Sequence, residues 1–232
     1  MTSRVDIWIL HIETSTKACS VALSKNAECV YYKEFLGQNF SHAEKLPGFI
    51  EEVVAESEIS KQDLSAIAIS SGPGSYTGLR IGCSTAKGLS FSLGIPLISV
   101  DTLQISTKEV TLESEDDICI SVMKARLKEI FIAIYSSNGV VRPTYYIDLN
   151  EDPLKEFRNN KVMFVGNATS IIEESVEPSM NWNFHHTDNA YKAKHMIGIA
   201  YQKFLDKDFE DLAYYEPFYL KDFVVLKKKT KA

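Results

Sequence analysis

The chain opens on short blocks of apolar residues broken by polar clusters. Ile7 to Ile12 is an apolar run of strand length that stops at Glu13, Thr14, Ser15 and Thr16, and Ala18 to Ser24 reads as its antiparallel neighbour. Cys29 to Leu36 supplies a third strand. Ser41 then stands three residues before Glu44, the spacing of a capping box, and Leu46, Phe49, Ile50, Val53 and Val54 give the helix that follows one apolar face. Leu64 to Ser70 is a fourth strand. It runs into Ser71-Gly72-Pro73-Gly74-Ser75-Tyr76-Thr77-Gly78, after which a helix is predicted from about Gly78 to Leu93, ended by Gly94-Ile95-Pro96. Leu97 to Val100 closes a strand-rich unit with helices on its face.

The second part repeats the theme weakly. An offset of 111 lays Asp117 under Asp6, Ile120 under Ile9, Ile132 under Val21 and Ile134 under Leu23, so a strand, turn and strand recur. Arg142 to Leu149 is then expected as a strand, Asp152 to Arg158 as a helix, and Lys161 to Val165 as a strand ending in Gly166-Asn167-Ala168 before another helix. Val176 to Thr187 lacks a period and reads as an exposed connection. Tyr191 to Leu205 reads as a helix with Ala193, Ile197, Ala200, Tyr201 and Phe204 on one side. The expected organisation is a first half over residues 1–105 and a second over 106–232.

Composition narrows the function classes. A net charge of -6 opposes a broad nucleic-acid footprint, so any RNA is expected to be held mostly by a partner. The lysines at 227, 228, 229 and 231 read as a solvated basic tail. Cys19, Cys29, Cys83 and Cys119 form no C-x-x-C pair and are expected as buried thiols. The apolar run near the start is too short for a signal segment or a membrane span, which predicts a cytoplasmic protein.

The glycine loop is the strongest local signal, since a strand-to-helix turn presents backbone N–H groups to an anion. It is not a P-loop: Thr77 stands five residues after Gly72, Leu79 five after Gly74, and the motif has no lysine. Gly72, Gly74, Ser75, Thr77, Gly78 and Arg80 are candidates for an anion or nucleotide-proximal loop. The same residues equally fit a tight connection with Thr77 as N-cap. Phosphotransfer in a two-half fold needs acidic residues after the first strand of each half; the first turn offers Glu13, and the offset of 111 puts Lys124 opposite it. Among His11, His42, His185, His186 and His195, no two stand three or four apart on a predicted helix, and Ser75 lacks a nucleophile elbow. No catalytic residue and no metal ligand is assigned. Two rows of small residues run along the second helix, Gly82-Ala86-Ser90 and Ser84-Gly88-Ser92; one suits the chain's own sheet, and the first is assigned to a partner helix.

Three segments resemble one family. Ile9-Leu10-His11-Ile12-Glu13-Thr14-Ser15-Thr16 with Cys19-Ser20-Val21-Ala22-Leu23 is similar to the opening strand pair of TsaB (YeaZ) proteins, whose acidic residue is usually Asp. Ser71 to Gly82, continuing through Ala86-Lys87-Gly88-Leu89 to Gly94-Ile95-Pro96-Leu97, matches that family's signature, and Ser41 to Pro47 resembles its helix start. Beyond about residue 105 the likeness loosens: Lys124-Ala125-Arg126 resembles an Asp-Ala-Arg turn, and Pro217-x-Tyr219-Leu220-Lys221 resembles Pro-x-Tyr-x-Arg. The resemblance implies an α/β, actin-like ATPase (ASKHA, ribonuclease H-like) fold of two related mixed-sheet halves, the second degenerate. It implies a non-catalytic subunit in threonylcarbamoyl transfer to adenosine 37 of tRNA. A TsaD-like subunit would carry the metal and the chemistry, a TsaE-like ATPase would assist, and self-pairing is possible. ATP and metal then belong to the partners, and tRNA is met through the complex, with no membrane. The rival readings are a glycoprotease-type metallopeptidase, a small-molecule kinase of the same fold and a stand-alone RNA-binding module.

Overall fold

The computed structural model describes residues 6–37, 41–125, 129–149 and 153–219. Its first sheet holds β1 (Trp8–Glu13), β2 (Ala18–Lys25), β3 (Glu28–Leu36), β4 (Ala66–Ser70) and β5 (Leu97–Val100) in the order β3-β2-β1-β4-β5. β1 pairs antiparallel with β2 and parallel with β4. The parallel pairs require crossovers, supplied by α1 (His42–Ala55) and α2 (Tyr76–Leu93). Both cover one face of the sheet, where Leu10, Ile12, Val21, Leu23, Ile67 and Ile69 meet Leu46, Ile50, Val53 and Ala86 in one core.

The second sheet holds β6 (Ile118–Lys124), β7 (Glu129–Ser136), β8 (Gly139–Asp148), β9 (Val162–Gly166) and β10 (Trp182–His186) in the order β10-β9-β6-β7-β8. The central strand is again antiparallel to the second and parallel to the fourth. Both halves therefore carry the same 3-2-1-4-5 arrangement, the duplicated architecture of the actin-like, ribonuclease H-like fold. The covering of the second sheet is thinner: α4 (Thr169–Ser175) is short, and the helix expected from Asp152 to Arg158 is a 3-10 turn at Lys155–Phe157, Asp152 itself lying outside the described residues.

The register corrects the repeat. Leu10 pairs with Leu23 and faces the helices, as Ile120 pairs with Ile134 and faces α4. The first strands are therefore related by 110 residues and the second strands by 111. Ile9 and Ile120, aligned by the uniform offset, face opposite ways, because one residue of slip turns a strand's side chains over. The counterpart of Glu13 is accordingly buried Met123, while Lys124 is exposed.

Other expectations also change. Val176 to Thr187 contains β10, an edge strand whose alternation is hard to read because Asn183 and His186 are exposed and Trp182 is buried. A short helix, α3 (Thr102–Ser106), was not foreseen. Ser41 does precede α1, but its side chain makes no capping hydrogen bond; its backbone (φ -126°, ψ 22°) lies outside the extended region that aims an N-cap oxygen at the first turn. Cys29 is exposed, on an edge strand, whereas Cys19, Cys83 and Cys119 are buried. The first sheet ends with β5 and the second begins with β6, and the chain then returns to the first sheet: α5 (Ile197–Asp206), entered through a 3-10 turn at Ala193–Met196, packs Ile197 and Ala200 against Ile9, Ala66, Ala68 and Ile98. Arg126, Leu220, Lys221 and the lysines at 227–231 lie outside the described residues.

Candidate functional site

The glycine loop is built around the turn that follows β1. Glu13 is fully buried, and its Oε1 accepts the Ser15 N–H at 2.5 Å. Burial pushes this carboxyl up to about 7, and the hydrogen bonds from Ser15 oppose the shift. The next residues receive the loop. Ser75 N–H donates to Ser15 O at 2.6 Å, and Thr14 Oγ1 donates to Gly78 O at 2.9 Å. A Cβ on Gly78 would stand 2.1 Å from Thr14 O, on Gly74 2.6 Å from Ser15 O, and on Gly82 2.3 Å from Thr14 Oγ1. Three glycines four residues apart thus let α2 and its entry lie directly on the turn. His42 is buried and donates its Nε2–H to Thr16 O at 2.7 Å.

The far side of the loop is held as well. Gly72 has a φ of +107° and donates its N–H to Thr102 Oγ1, while Phe218 N–H donates to Ser71 O at 2.7 Å. The N-cap of α2 is Ser75, whose Oγ accepts from Gly78 N–H at 3.2 Å; Thr77, the expected cap, lies inside the first turn. Gly72, Gly74, Ser75 and Gly78 are therefore committed to a tight connection. Thr77 and Arg80 are the loop candidates that face solvent, and the Arg80 guanidinium lies 4.5 Å from the Tyr76 ring centroid.

The chain's own residues make hydrogen bonds between the halves and at the end of the second central strand. Tyr191 is fully buried, donates its hydroxyl to Val122 O of the second sheet at 2.9 Å, and stands 2.8 Å from where a Cβ on Gly166 would lie. Two residues on, Ala193 N–H donates to Ser20 Oγ of the first sheet at 3.0 Å. Asp101 caps α3 through Leu103 N–H at 2.7 Å and accepts Thr144 Oγ1 of β8 at 2.6 Å, which crosses the junction a second time. An aspartate directly after a strand was a readable capping signal. Nothing in the sequence marked Tyr191. Among the described residues no three His, Cys, Asp or Glu side chains gather as a metal site.

The helical face is the other candidate, and the rows on α2 exchange roles. Gly82, Ala86 and Ser90 are buried inside the chain, Gly82 against Thr14 and Ile69, so this row is not a surface that a partner could meet. The facing row, Ser84, Gly88 and Ser92, is exposed. Around Gly88, and around Gly48 on the solvent side of α1, a Cβ would meet nothing within 4 Å. Phe91 lies beside this row and is 82% exposed. The two helices thus present an outer face whose backbones can be approached closely, with one large apolar side chain projecting from it.

Comparison with known proteins gives a consistent result. The family model described as "TsaD: tRNA N6-adenosine threonylcarbamoyltransferase" matches residues 39–229. The chain is 26% identical over 239 residues to the tRNA threonylcarbamoyladenosine biosynthesis protein TsaB of Haemophilus influenzae, covering 96% of this chain and 97% of that one. It is 30% identical over 176 residues to TsaB of Bacillus subtilis, covering 73% and 75%. The solved structure of YeaZ from Pseudomonas aeruginosa superposes with a TM-score of 0.78 at 21% identity, over 92% of this chain and 100% of that one.

Proposed function

Because the chain belongs to the TsaB (YeaZ) family of tRNA threonylcarbamoyladenosine biosynthesis proteins, we propose that it is the accessory, non-catalytic subunit of the assembly that transfers threonylcarbamoyl to adenosine 37 of tRNA. The observation that supports the non-catalytic reading is what lies at the ends of the two central strands. A nucleotide held between two such halves needs room at the ends of their central strands and acidic residues to hold its metal. Here Tyr191 lies on Val122, the counterpart of Glu13 is Met123, and the glycine loop is bound to the Thr14-Ser15 turn. ATP and metal are then the business of a TsaD-like subunit and a TsaE-like ATPase.

Partner binding is assigned to the outer face of α1 and α2. Small residues at a crossing allow helices to approach closely, and an exposed aromatic beside them supplies apolar area. The same face serves a TsaD-like subunit or a second copy of the chain, in a cytoplasmic complex that meets tRNA as a whole. Depletion of the chain in its native host, followed by measurement of threonylcarbamoyladenosine in bulk tRNA, tests the reading. Loss of the modified nucleoside, restored by the wild-type gene, is expected. Unchanged modification after depletion contradicts it.

A further inference from the structure

Each half joins its second and third strands by a two-residue turn, and the two turns are built differently. β2 passes to β3 through Asn26 and Ala27, and β7 passes to β8 through Ser137 and Asn138. Asn26 is tied by both ends of its side-chain amide: Oδ1 accepts the Ile7 N–H at 3.0 Å, and Nδ2 donates to Asp6 Oδ1 at 3.1 Å. The residue after it, Ala27, carries a Cβ. Asn138 is followed by Gly139, the one Asn-Gly step in the sequence. Both residues are exposed, and the hydrogen bond that Asn138 gives to Ser136 Oγ at 3.2 Å comes from its backbone N–H. A Cβ on Gly139 would meet nothing within 4 Å, and its φ of +120° suits glycine.

We propose that Asn138-Gly139 is a site of spontaneous intramolecular deamidation, which alters the β7–β8 hairpin as the chain ages. Hydroxide takes the proton of the Gly139 N–H, and the nitrogen attacks the side-chain carbonyl carbon of Asn138. The N–Cγ bond forms, the Cγ–Nδ2 bond breaks, and ammonia leaves with a proton from water, closing a cyclic imide. Water then adds to one of the two imide carbonyls. Opening at Cγ leaves aspartate; opening at the backbone carbonyl leaves an isoaspartyl link, in which the main chain runs through Cβ and Cγ. Either product puts a carboxylate where a neutral amide stood. The isoaspartyl link also lengthens the main chain inside a turn whose register pairs Ser136 with Gly139 and Tyr135 with Val140, and turn length sets hairpin register. No side chain crowds the attacking nitrogen of Gly139, and an exposed hairpin tip opens more readily than the strands behind it. Asn26 is the contrast within the same molecule. Its amide must first leave Ile7 and Asp6, and the attacking nitrogen then stands beside the Ala27 Cβ.

The test holds the full chain in mildly alkaline buffer made with oxygen-labelled water, samples it over weeks, and maps its peptides by mass spectrometry. The peptide carrying residue 138 is expected to lose its amide, gain a labelled oxygen and separate into two chromatographic forms, while the peptide carrying Asn26 keeps its amide over the same time. The loss at residue 138 should slow in mildly acidic buffer, where the Gly139 nitrogen keeps its proton. Stored wild type should also melt below the fresh protein, whereas stored Asn138→Ser should melt as its fresh sample does. An amide at residue 138 that persists as long as that of Asn26 overturns the proposal. So does a free peptide of the hairpin sequence that converts while the folded chain does not, because the fold would then block the step. An unchanged melt after full conversion of wild type would overturn the claim that the hairpin is altered.

Discussion

The two halves share a sheet but not a covering. In the first, a turn anchored by buried Glu13 supports three glycines of α2, and two helices of 14 and 18 residues close the outer face. In the second, the same strand ends meet at Gly166, whose Cβ would stand 2.0 Å from Val122 O, and α4 has 7 residues. Each half packs a glycine against a backbone carbonyl at the end of its central strand, Gly78 of α2 on Thr14 O and Gly166 of β9 on Val122 O. The first half adds an outer helical face with open glycines at 48 and 88. The duplicated sheet supplies the frame, and the two long helices lie on one copy of it.

The largest effects should come from the glycines that both halves bury. Gly78→Ala and Gly166→Ala each place a methyl group within 2.1 Å of a carbonyl oxygen, and at Gly166 a φ of +119° adds strain. Each should cost at least ~3 kcal/mol, seen as a large drop in denaturant midpoint or as insoluble protein. Wild-type stability in either variant would mean that the crossing is looser than described.

The next effect separates the buried groups of the first half by pH. Glu13, raised from 4.5 to about 7, is protonated when folded and ionised when unfolded between those values; its contribution is complete below 4.5 and lost as pH rises to 7, by roughly 3 kcal/mol. His11 is lowered from 6.5 to about 3 by burial, so its contribution is complete above 6.5 and lost as pH falls, by roughly 5 kcal/mol. From pH 4.5 to 6.5 the two slopes oppose each other. Glu13→Gln should remove one of them, so that stability rises with pH up to 6.5 and then levels. A pH profile identical to wild type would remove Glu13 from the account.

Smaller effects distinguish the faces of α2. Ala86→Leu should destabilise the folded chain by ~1–3 kcal/mol, since Ala86 is fully buried. Gly48→Ala and Gly88→Ala should instead stabilise it by up to ~1 kcal/mol, because they gain helix propensity in open space. The same sign for Ala86→Leu and Gly88→Ala in a thermal melt would erase the distinction between buried and open rows.

The long elements of the first half were legible because their periods were strong. The apolar face of α1 is buried as read, and Gly94 ends α2 in the left-handed region at φ 67°. The 3.6-residue period of α2 could not say which of two small-residue rows faced inward, since glycine, alanine and serine carry little hydrophobic signal. The sheet decides, through Thr14 and Ile69 against Gly82. The family motif located the loop, but that it rests on Thr14 and Ser15 is seen only in the hydrogen bonds of the folded chain. The repeat is read with its first strand slipped by one residue, because an offset of 111 lays Ile118 and Ile120 on Ile7 and Ile9, whereas the structural offset of 110 lays them on Trp8 and Leu10. Tyr191 reaches Val122 across 69 residues, and Ala193 two residues on reaches Ser20 of the first sheet, pairings with no local pattern to announce them.

The central claim is that the chain works through the open face of α1 and α2, and Gly88→Leu tests it most directly. A Cβ there meets nothing within 4 Å, so the variant should melt at or above the wild-type temperature. In size-exclusion chromatography with the TsaD-like subunit it should elute apart from that subunit, while Gly88→Ala should largely co-elute with it. A folded Gly88→Leu variant that co-elutes as wild type does would contradict the account.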